Sequence, residues 1–371
     1  MKVEREIAGF TLPFAAGILL ISLAGNHFFS SHHVWASASL AACSVLLMHC
    51  IHPSRKNIGT IGRGFLIGGL ALCLGIFCGE CGKILSVSSL DSALFIHAQR
   101  YGKLLQAAVD SIPFSDPQTN AVIKALLTGE RADIPSYVAT VFRDSGASHI
   151  LALSGFHLGI IYAIVKTILG IFGNRKETVV IRSCITMSIC GFYTLATGAG
   201  PSIVRALLFV VLHETAGLLH RYHSTASVLF SALVIQLAIS PGSITSVGFQ
   251  LSYAAMAGIA FIYPWFRDIW PGNPFDDGRF TKAVRWIWNS AAMSLSCQVT
   301  TAPLAWIYFH SFPRHFLFTN LLALPLSSLI ISAGLAATAL NAAGICPKPL
   351  VSITERLVRI LVQSLEIISG M

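Results

Sequence analysis

The chain has 371 residues, of which 54% are hydrophobic and only 11% charged, and its mean hydropathy is +0.71. An average soluble domain carries roughly 25% charged residues, so composition excludes a water-soluble globule: its core would exceed what its surface could cover. A bilayer removes the difficulty, because there the apolar faces point outward into lipid. The net charge of +9 fits two classes, the inner-loop Lys and Arg of a membrane protein and a polyanion binder.

A membrane-spanning helix needs about 20 predominantly apolar residues. Apolar runs of that kind predict helices at 7–24, 34–51, 64–80, 150–172, 178–197, 203–220, 225–240, 249–266, 288–309 and 317–341. The expected fold class is therefore an all-α polytopic helical membrane protein of about ten transmembrane helices. A last segment, 350–369, is amphipathic, with Glu355, Arg356, Arg359 and Glu366 interrupting its apolar face; such a helix lies at the interface or crosses with difficulty. Residues 1–80 form N-terminal transmembrane helices, 81–149 an extracytoplasmic helical segment, 150–345 the main transmembrane domain and 346–371 a C-terminal amphipathic or transmembrane helix.

Charge sets the orientation. With the N-terminus in the cytoplasm, the inner segments carry Lys2 and Arg5; Arg55, Lys56 and Arg63; Arg175 and Lys176; Arg221; Arg267, Arg279, Lys282 and Arg285; and Lys348. The short outer loops carry only Arg314. That is the positive-inside asymmetry of ten spans with both ends inside. Residues 81–149 fall outside despite Lys83, Arg100, Lys103, Lys124, Arg131 and Arg143, because long translocated segments are exempt from the rule. Their pattern is helical: Leu94, Ala98, Tyr101, Leu105 and Ala108 recur at helix spacing. A turn at Ile112–Pro117 opens a further helix near Asp116, and these helices are expected on the outer membrane face.

Other signals are weak. Most of the nine cysteines sit in apolar runs, where a thiol acts as a small hydrophobe. Cys78 and Cys81 form a C-x-x-C without a second pair, so zinc is not expected. Lys2 and Arg5 precede an apolar stretch with no small-residue cleavage site, which argues against a cleavable signal. No P-loop occurs, since Gly82-Lys83 lacks the upstream glycine and the following Ser or Thr.

Polar groups at membrane depth cost a few kcal/mol each unless partnered or wetted, and they gather in four places. The first runs from Asp144 to His157, with Ser154 and His157 three apart on one helix face and Gly155 between them. The second is Thr197-Gly198-Ala199-Gly200-Pro201-Ser202 followed by Arg205, an irregular stretch tolerated only in protein or beside a cavity. The third is Gly248-Phe249-Gln250-Leu251-Ser252-Tyr253. The fourth comprises Pro303, His310, Asn320 and Pro325. All four are expected toward the outer half of the membrane, which points to one polar cavity opening outward. Two other readings stand beside this one: polar side chains that merely bridge helices, and a membrane hydrolase with Ser154 as nucleophile and His157 as base. For the hydrolase, Asp144 is the only nearby orienting acid. A zinc site built from His149 and His157 lacks a third ligand.

These motifs, in this order, resemble the ComEC family of competence proteins. Leu126-Leu127-Thr128-Gly129-Glu130-Arg131 precedes Phe142-Arg143-Asp144-Ser145-Gly146-Ala147-Ser148-His149-Ile150-Leu151-Ala152-Leu153-Ser154-Gly155-Phe156-His157, which is similar to the family's leading signature. Gly200, Ser202, Arg205 and Ala206, then Gly248–Tyr253, then Asn320–Pro325 are similar to its later elements. The resemblance covers about 120–330 and implies an inner-membrane channel that conducts single-stranded DNA into the cytoplasm during natural transformation. It also implies a cytoplasmic helicase-like motor and an extracytoplasmic DNA receptor as partners. The soluble OB-like and metallo-β-lactamase-like domains of larger members have no counterpart among these residues, so no enzyme activity and no cofactor is expected. On this reading Arg131, Arg143 and Arg205 draw the phosphates at the outer mouth. Phe142, Phe156, Phe249 and Tyr253 stack bases. His149, Ser154, Gly155, His157, Gly200, Gln250, Ser252, Asn320 and Pro325 line the path or shape its helix breaks. A hydrolase using Ser154 and His157, or a transporter of another polar solute, is the alternative.

Overall fold

The computed structural model describes residues 2–23, 60–84, 93–173, 176–219, 224–269, 278–310, 315–345 and 347–370, with Ser39 and Ala42 singly. The expected span at 34–51, apart from Ser39 and Ala42, and the loop cations Arg55, Lys56, Arg175, Arg221 and Arg314 lie outside these residues. Among the described residues there is no strand, and the all-α membrane class holds. Among the described residues, five helical stretches are long and apolar enough to cross a bilayer: Glu6–Leu23, Glu177–Ala196, Pro201–Leu218, Val247–Asp268 and Phe316–Ala342. Three shorter apolar helices accompany them: Ile67–Glu80, Gly155–Gly170 and Thr225–Ile239.

The chain divides into two compact units, one of residues 1–90 and 220–260, the other of 91–219 and 261–371. In the first, α1 (Lys2–Leu23) crosses α2 (Thr60–Ile84) at glycines. A Cβ on Gly75 would run into the Phe14 carbonyl, and one on Gly17 into that of Leu72. Small residues let the backbones touch, which is how membrane helices gain packing where water supplies no driving force. The unit continues with α10 (Thr225–Ile239) and a 3₁₀ turn at Pro241–Thr245. It ends with α11 (Val247–Ala257), capped by Ser246, whose hydroxyl accepts from the Phe249 N–H at 3.3 Å. The expected single helix at 249–266 is interrupted by a π turn, Gly258–Ile262, before α12 (Tyr263–Asp268).

The second unit opens with α3 (Ala93–Asp110) and α4 (Pro117–Thr128). The predicted start near Asp116 is observed: its carboxylate accepts from the Gln118 N–H at 3.0 Å, with Pro117 as the first helical residue. Next come α5 (Ser136–Asp144) and the single turn α6 (Ser148–Leu151), then α7 (Gly155–Gly170), α8 (Lys176–Ala196) and α9 (Pro201–Leu218). The unit closes with α13 (Arg279–Phe309), α14 (Phe316–Ala342) and α15 (Lys348–Ser369). Although α13 contains the expected 288–309 span, it is absent from the apolar set; Asn289, Gln298 and a run of Ser and Thr make it too polar by composition.

Helix α4 occupies the centre of the unit. Val122, Ile123, Leu126 and Leu127 pack with Phe142 of α5, Ala323, Ile330 and Ile331 of α14, and Val358, Leu361, Val362 and Leu365 of α15. The buried residues of α15 recur at helical spacing, which realises its predicted amphipathic face. Segment 111–145 lies along α14: Thr319 Oγ1 donates to the Ser145 carbonyl at 2.7 Å, and Asn341 Nδ2 to Ser111 Oγ at 2.8 Å. Between these ends, Gly334 faces Ile123 and Leu127. Lys124, buried in α4, bridges Asp110 at 2.5 Å and Asp133 at 2.7 Å. Burial alone would depress its ammonium pKa, but the two carboxylates carry it above the usual lysine value. The lysine's contribution is therefore present below the usual lysine value and is lost as pH rises through the raised pKa.

Candidate functional site

The leading motif is built by turns. Helix α4 ends in a left-handed cap at Gly129 (φ 81°), whose N–H donates to the Ala125 carbonyl at 2.9 Å. Gly146 (φ 80°) makes the corresponding turn after α5 and delivers its carbonyl to His149 Nδ1 at 3.1 Å. The predicted helix from residue 150 begins instead at Gly155, because Ser154 adopts extended backbone and caps α7. Its Oγ accepts from the Phe156 N–H at 3.3 Å, while His157 Nδ1 accepts from the Ser154 N–H at 3.3 Å and lies 3.1 Å from Ser154 Oγ. This is a reciprocal capping box with histidine in the third position.

The cap accounts for the Ser154–His157 spacing without hydrolytic chemistry. Asp144 is turned to Arg143 at 3.2 Å, both side chains being exposed, and no hydrogen bond joins it to His157. Ser154→Ala should cost about 1 kcal/mol as a lost cap, and Ser154→Asn should restore most of it. Thermal unfolding in detergent checks this; equal loss with both residues would mean that the serine does not act as a cap.

His157 itself is wholly buried. Its Nδ1 accepts, so the neutral ring carries its proton on Nε2, which is buried. Phe156 stands edge-on to the ring at 5.8 Å. His149 and the exposed Arg131 lie within electrostatic range of it, so three residues of the leading motif are brought together here. Gly155 permits the approach of α9: a Cβ there would meet that of Ala206 at 3.3 Å. Arg205, one residue earlier, is 3% exposed.

The second polar stretch is irregular as expected. Gly198 (φ 87°) and Ala199 (φ 49°) are both left-handed, and the Ala199 N–H returns to the Thr194 carbonyl at 2.8 Å. Gly200 then caps α9, with Pro201 as its first residue. Of the fourth stretch, His310 ends α13 in a left-handed conformation (φ 50°). Asn320 precedes Pro325 within α14, where the proline ring deprives the Leu321 carbonyl of its helical donor. Asn320 Oδ1 and Ser327 Oγ are buried without hydrogen-bond partners.

Two expectations change. Phe142 is 0% exposed within the core of the second unit, so it packs α5 against α4 and cannot stack bases. Phe249 and Tyr253 are likewise buried against each other, ring centroids 4.5 Å apart. The third stretch belongs to the first unit. There Gln250 Nε2 donates to the Ile244 carbonyl at 3.0 Å, tying α11 to the 3₁₀ turn, and the Tyr253 hydroxyl donates to Gln236 at 2.9 Å. Ser252 is half-buried on the same helix. Among the described residues no group of His, Cys, Asp and Glu is arranged to hold a metal ion.

Sequence reasoning overlooked one cluster. Glu214 of α9 is 4% exposed and accepts from Tyr162 Oη at 2.6 Å, from Lys166 Nζ at 2.9 and 3.2 Å, and from Ser183 Oγ at 2.5 Å. One carboxylate thus joins α7, α8 and α9. The available signal was a lone lysine and a lone glutamate, each inside an apolar helix.

Comparison with known proteins places the chain. The family model described as Competence protein matches residues 126–371. The uncharacterised protein YcaI of Escherichia coli (strain K12) is 26% identical over 253 residues, 67% of this chain and 32% of that protein. ComE operon protein 3 of Bacillus subtilis (strain 168) is 25% identical over 218 residues, 59% of this chain and 26% of that one. Recombination protein 2 of Haemophilus influenzae is 21% identical over 217 residues, 56% of this chain and 26% of that one. The chain thus spans about a quarter to a third of the length of these relatives. No solved structure matches. The signature turns of α4 to α7, the capped start of α9 and the α14 break all fall inside the matched region, and the chain belongs to the Competence protein (ComEC) family.

Proposed function

We propose that this chain is a conduit, not an enzyme, which passes single-stranded DNA across the bacterial inner membrane during natural transformation. The reading rests on the family match together with one observation: Arg205, a cation 3% exposed, set in an apolar helix beside the capped start of α7. A buried guanidinium at membrane depth is expensive and marks an ion or substrate path. A phosphate-bearing strand needs such cations, sparse enough to let it go.

In this proposal the N-terminus is cytoplasmic and about ten spans leave both ends inside. Residues 81–149 enter from the outer side, with α4 reaching the depth of α14. Arg131, Arg143 and His149 are exposed and suit the mouth; His157, Arg205 and Asn320 suit the interior. Ser154, Gly155, Gly200 and Pro325 shape the helix ends and breaks that hold them, while Gln250 and Ser252 serve the other unit. A cytoplasmic helicase-like motor supplies the pull and an extracytoplasmic receptor delivers the strand. Deleting the gene in a transformable host should abolish entry of labelled DNA into the cytoplasm while surface-bound DNA persists. Unchanged transformation would refute the proposal.

A further inference from the structure

We infer that Lys166 is a phosphodiester-binding residue of the path, held in reserve by Glu214. The inference rests on the conduit reading and adds a second cationic level to it. Helices α7 and α9 run parallel, since Gly155 meets Ala206 and, further along, Tyr162 and Lys166 meet Glu214. Lys166 lies nine residues beyond His157, and Glu214 nine beyond Arg205. At 1.5 Å per residue both stand about 13 Å deeper than the first polar level.

An ion pair whose carboxylate is buried stabilises little relative to apolar residues of the same volume, so the pair calls for a use. The two partners are unequally committed. Glu214 keeps two hydrogen bonds, from Tyr162 and Ser183, if the lysine leaves. The Lys166 side chain is 34% exposed, has a flexible four-carbon stem and holds its ammonium 5.8 Å from the Tyr162 ring centroid. An arriving phosphate oxygen can therefore take the ammonium from the carboxylate without leaving a buried charge unsolvated. When the phosphate moves on, Glu214 reclaims the lysine. The internal competitor makes binding weak enough for release, as conduction requires.

The same ammonium would suit a phospholipid headgroup, and the test separates the two. The full-length protein is purified in a maltoside detergent, which carries no phosphate, and titrated with a labelled single-stranded oligonucleotide at several salt concentrations. Lys166→Gln should reduce the salt slope by about 0.7, the value of one single-strand phosphate contact. Glu214→Gln can keep the Tyr162 contact through its Oε1 and reverse the Ser183 one, its Nε2 donating to the serine oxygen; it removes the competing charge and should tighten binding about three- to tenfold. In the double variant the Glu214→Gln gain should vanish, leaving the Lys166→Gln affinity. Shifts in the same direction from both single variants, or a Glu214→Gln gain that persists without Lys166, would overturn the inference. Loss of bound phosphatidylglycerol in Lys166→Gln with an unchanged DNA slope would overturn it in favour of lipid. If the wild-type protein shows no salt-dependent DNA binding at all, the conduit reading itself fails.

Discussion

Gly129→Val is expected to destabilise the second unit by about 2–5 kcal/mol and to abolish accumulation of folded protein. Two independent costs add. The left-handed conformation at φ 81° costs roughly 1–2 kcal/mol for a residue with a Cβ, and more for a β-branched one. A Cβ at this site would also lie 2.5 Å from Leu153 Cδ1, and overpacking of that kind costs about 1–3 kcal/mol. Leu153 packs against the α7–α8–α9 core, so the glycine sits where the cap of α4 meets the entry to α7. Gly129→Ala should show a smaller loss, and Leu153→Ala beside it should recover the steric part but not the backbone part. Unfolding midpoints in detergent check all three. A Gly129→Ala protein as stable as wild type would mean that α4 does not end in this cap.

Arg205 carries the second large effect. Arg205→Ala should lower DNA uptake by about tenfold or more, at least ~1.4 kcal/mol, and should reduce the salt dependence of strand binding by about one phosphate contact. Arg205→Lys keeps the charge while losing the planar fork, and a conduit should retain a substantial part of its activity with it. Uptake is measured against the amount of folded protein in the membrane. Equal loss from alanine and lysine would make Arg205 a bidentate structural partner of neighbouring helices, and the wet path would then need another cation.

The same distinction between a local and a distant cause separates what was legible in the sequence from what was not. The helix start at Asp116 could be read because a cap is written in adjacent residues. The irregular stretch before α9 was legible for the same reason, two glycines and a proline being local conformational signals. Ser154 and His157 were seen as a pair, yet their spacing suits a nucleophile and base as well as a reciprocal cap. Only the extended backbone at Ser154 distinguishes them. Phe142 sits between Val141 and Arg143 in a short helix, and nothing local reveals that α4, α14 and α15 close over it. Lys166 and Glu214 are 48 residues apart, beyond the reach of any periodicity.

The sequence by itself determined the membrane class, the helical fold, the amphipathic last helix and the family, because composition, helical spacing and contiguous motifs are properties of neighbouring residues. Tertiary structure alone decided that α4 is buried rather than superficial, that the Ser154–His157 pair caps a helix, and that Glu214 ties three helices together. The burial of α4 and the Glu214 tie depend on which apolar faces find each other across the chain, and the cap on the backbone that the fold imposes at Ser154. Most helices here are apolar on several sides, so hydropathy does not specify their neighbours; side-chain shape and a few buried polar contacts do.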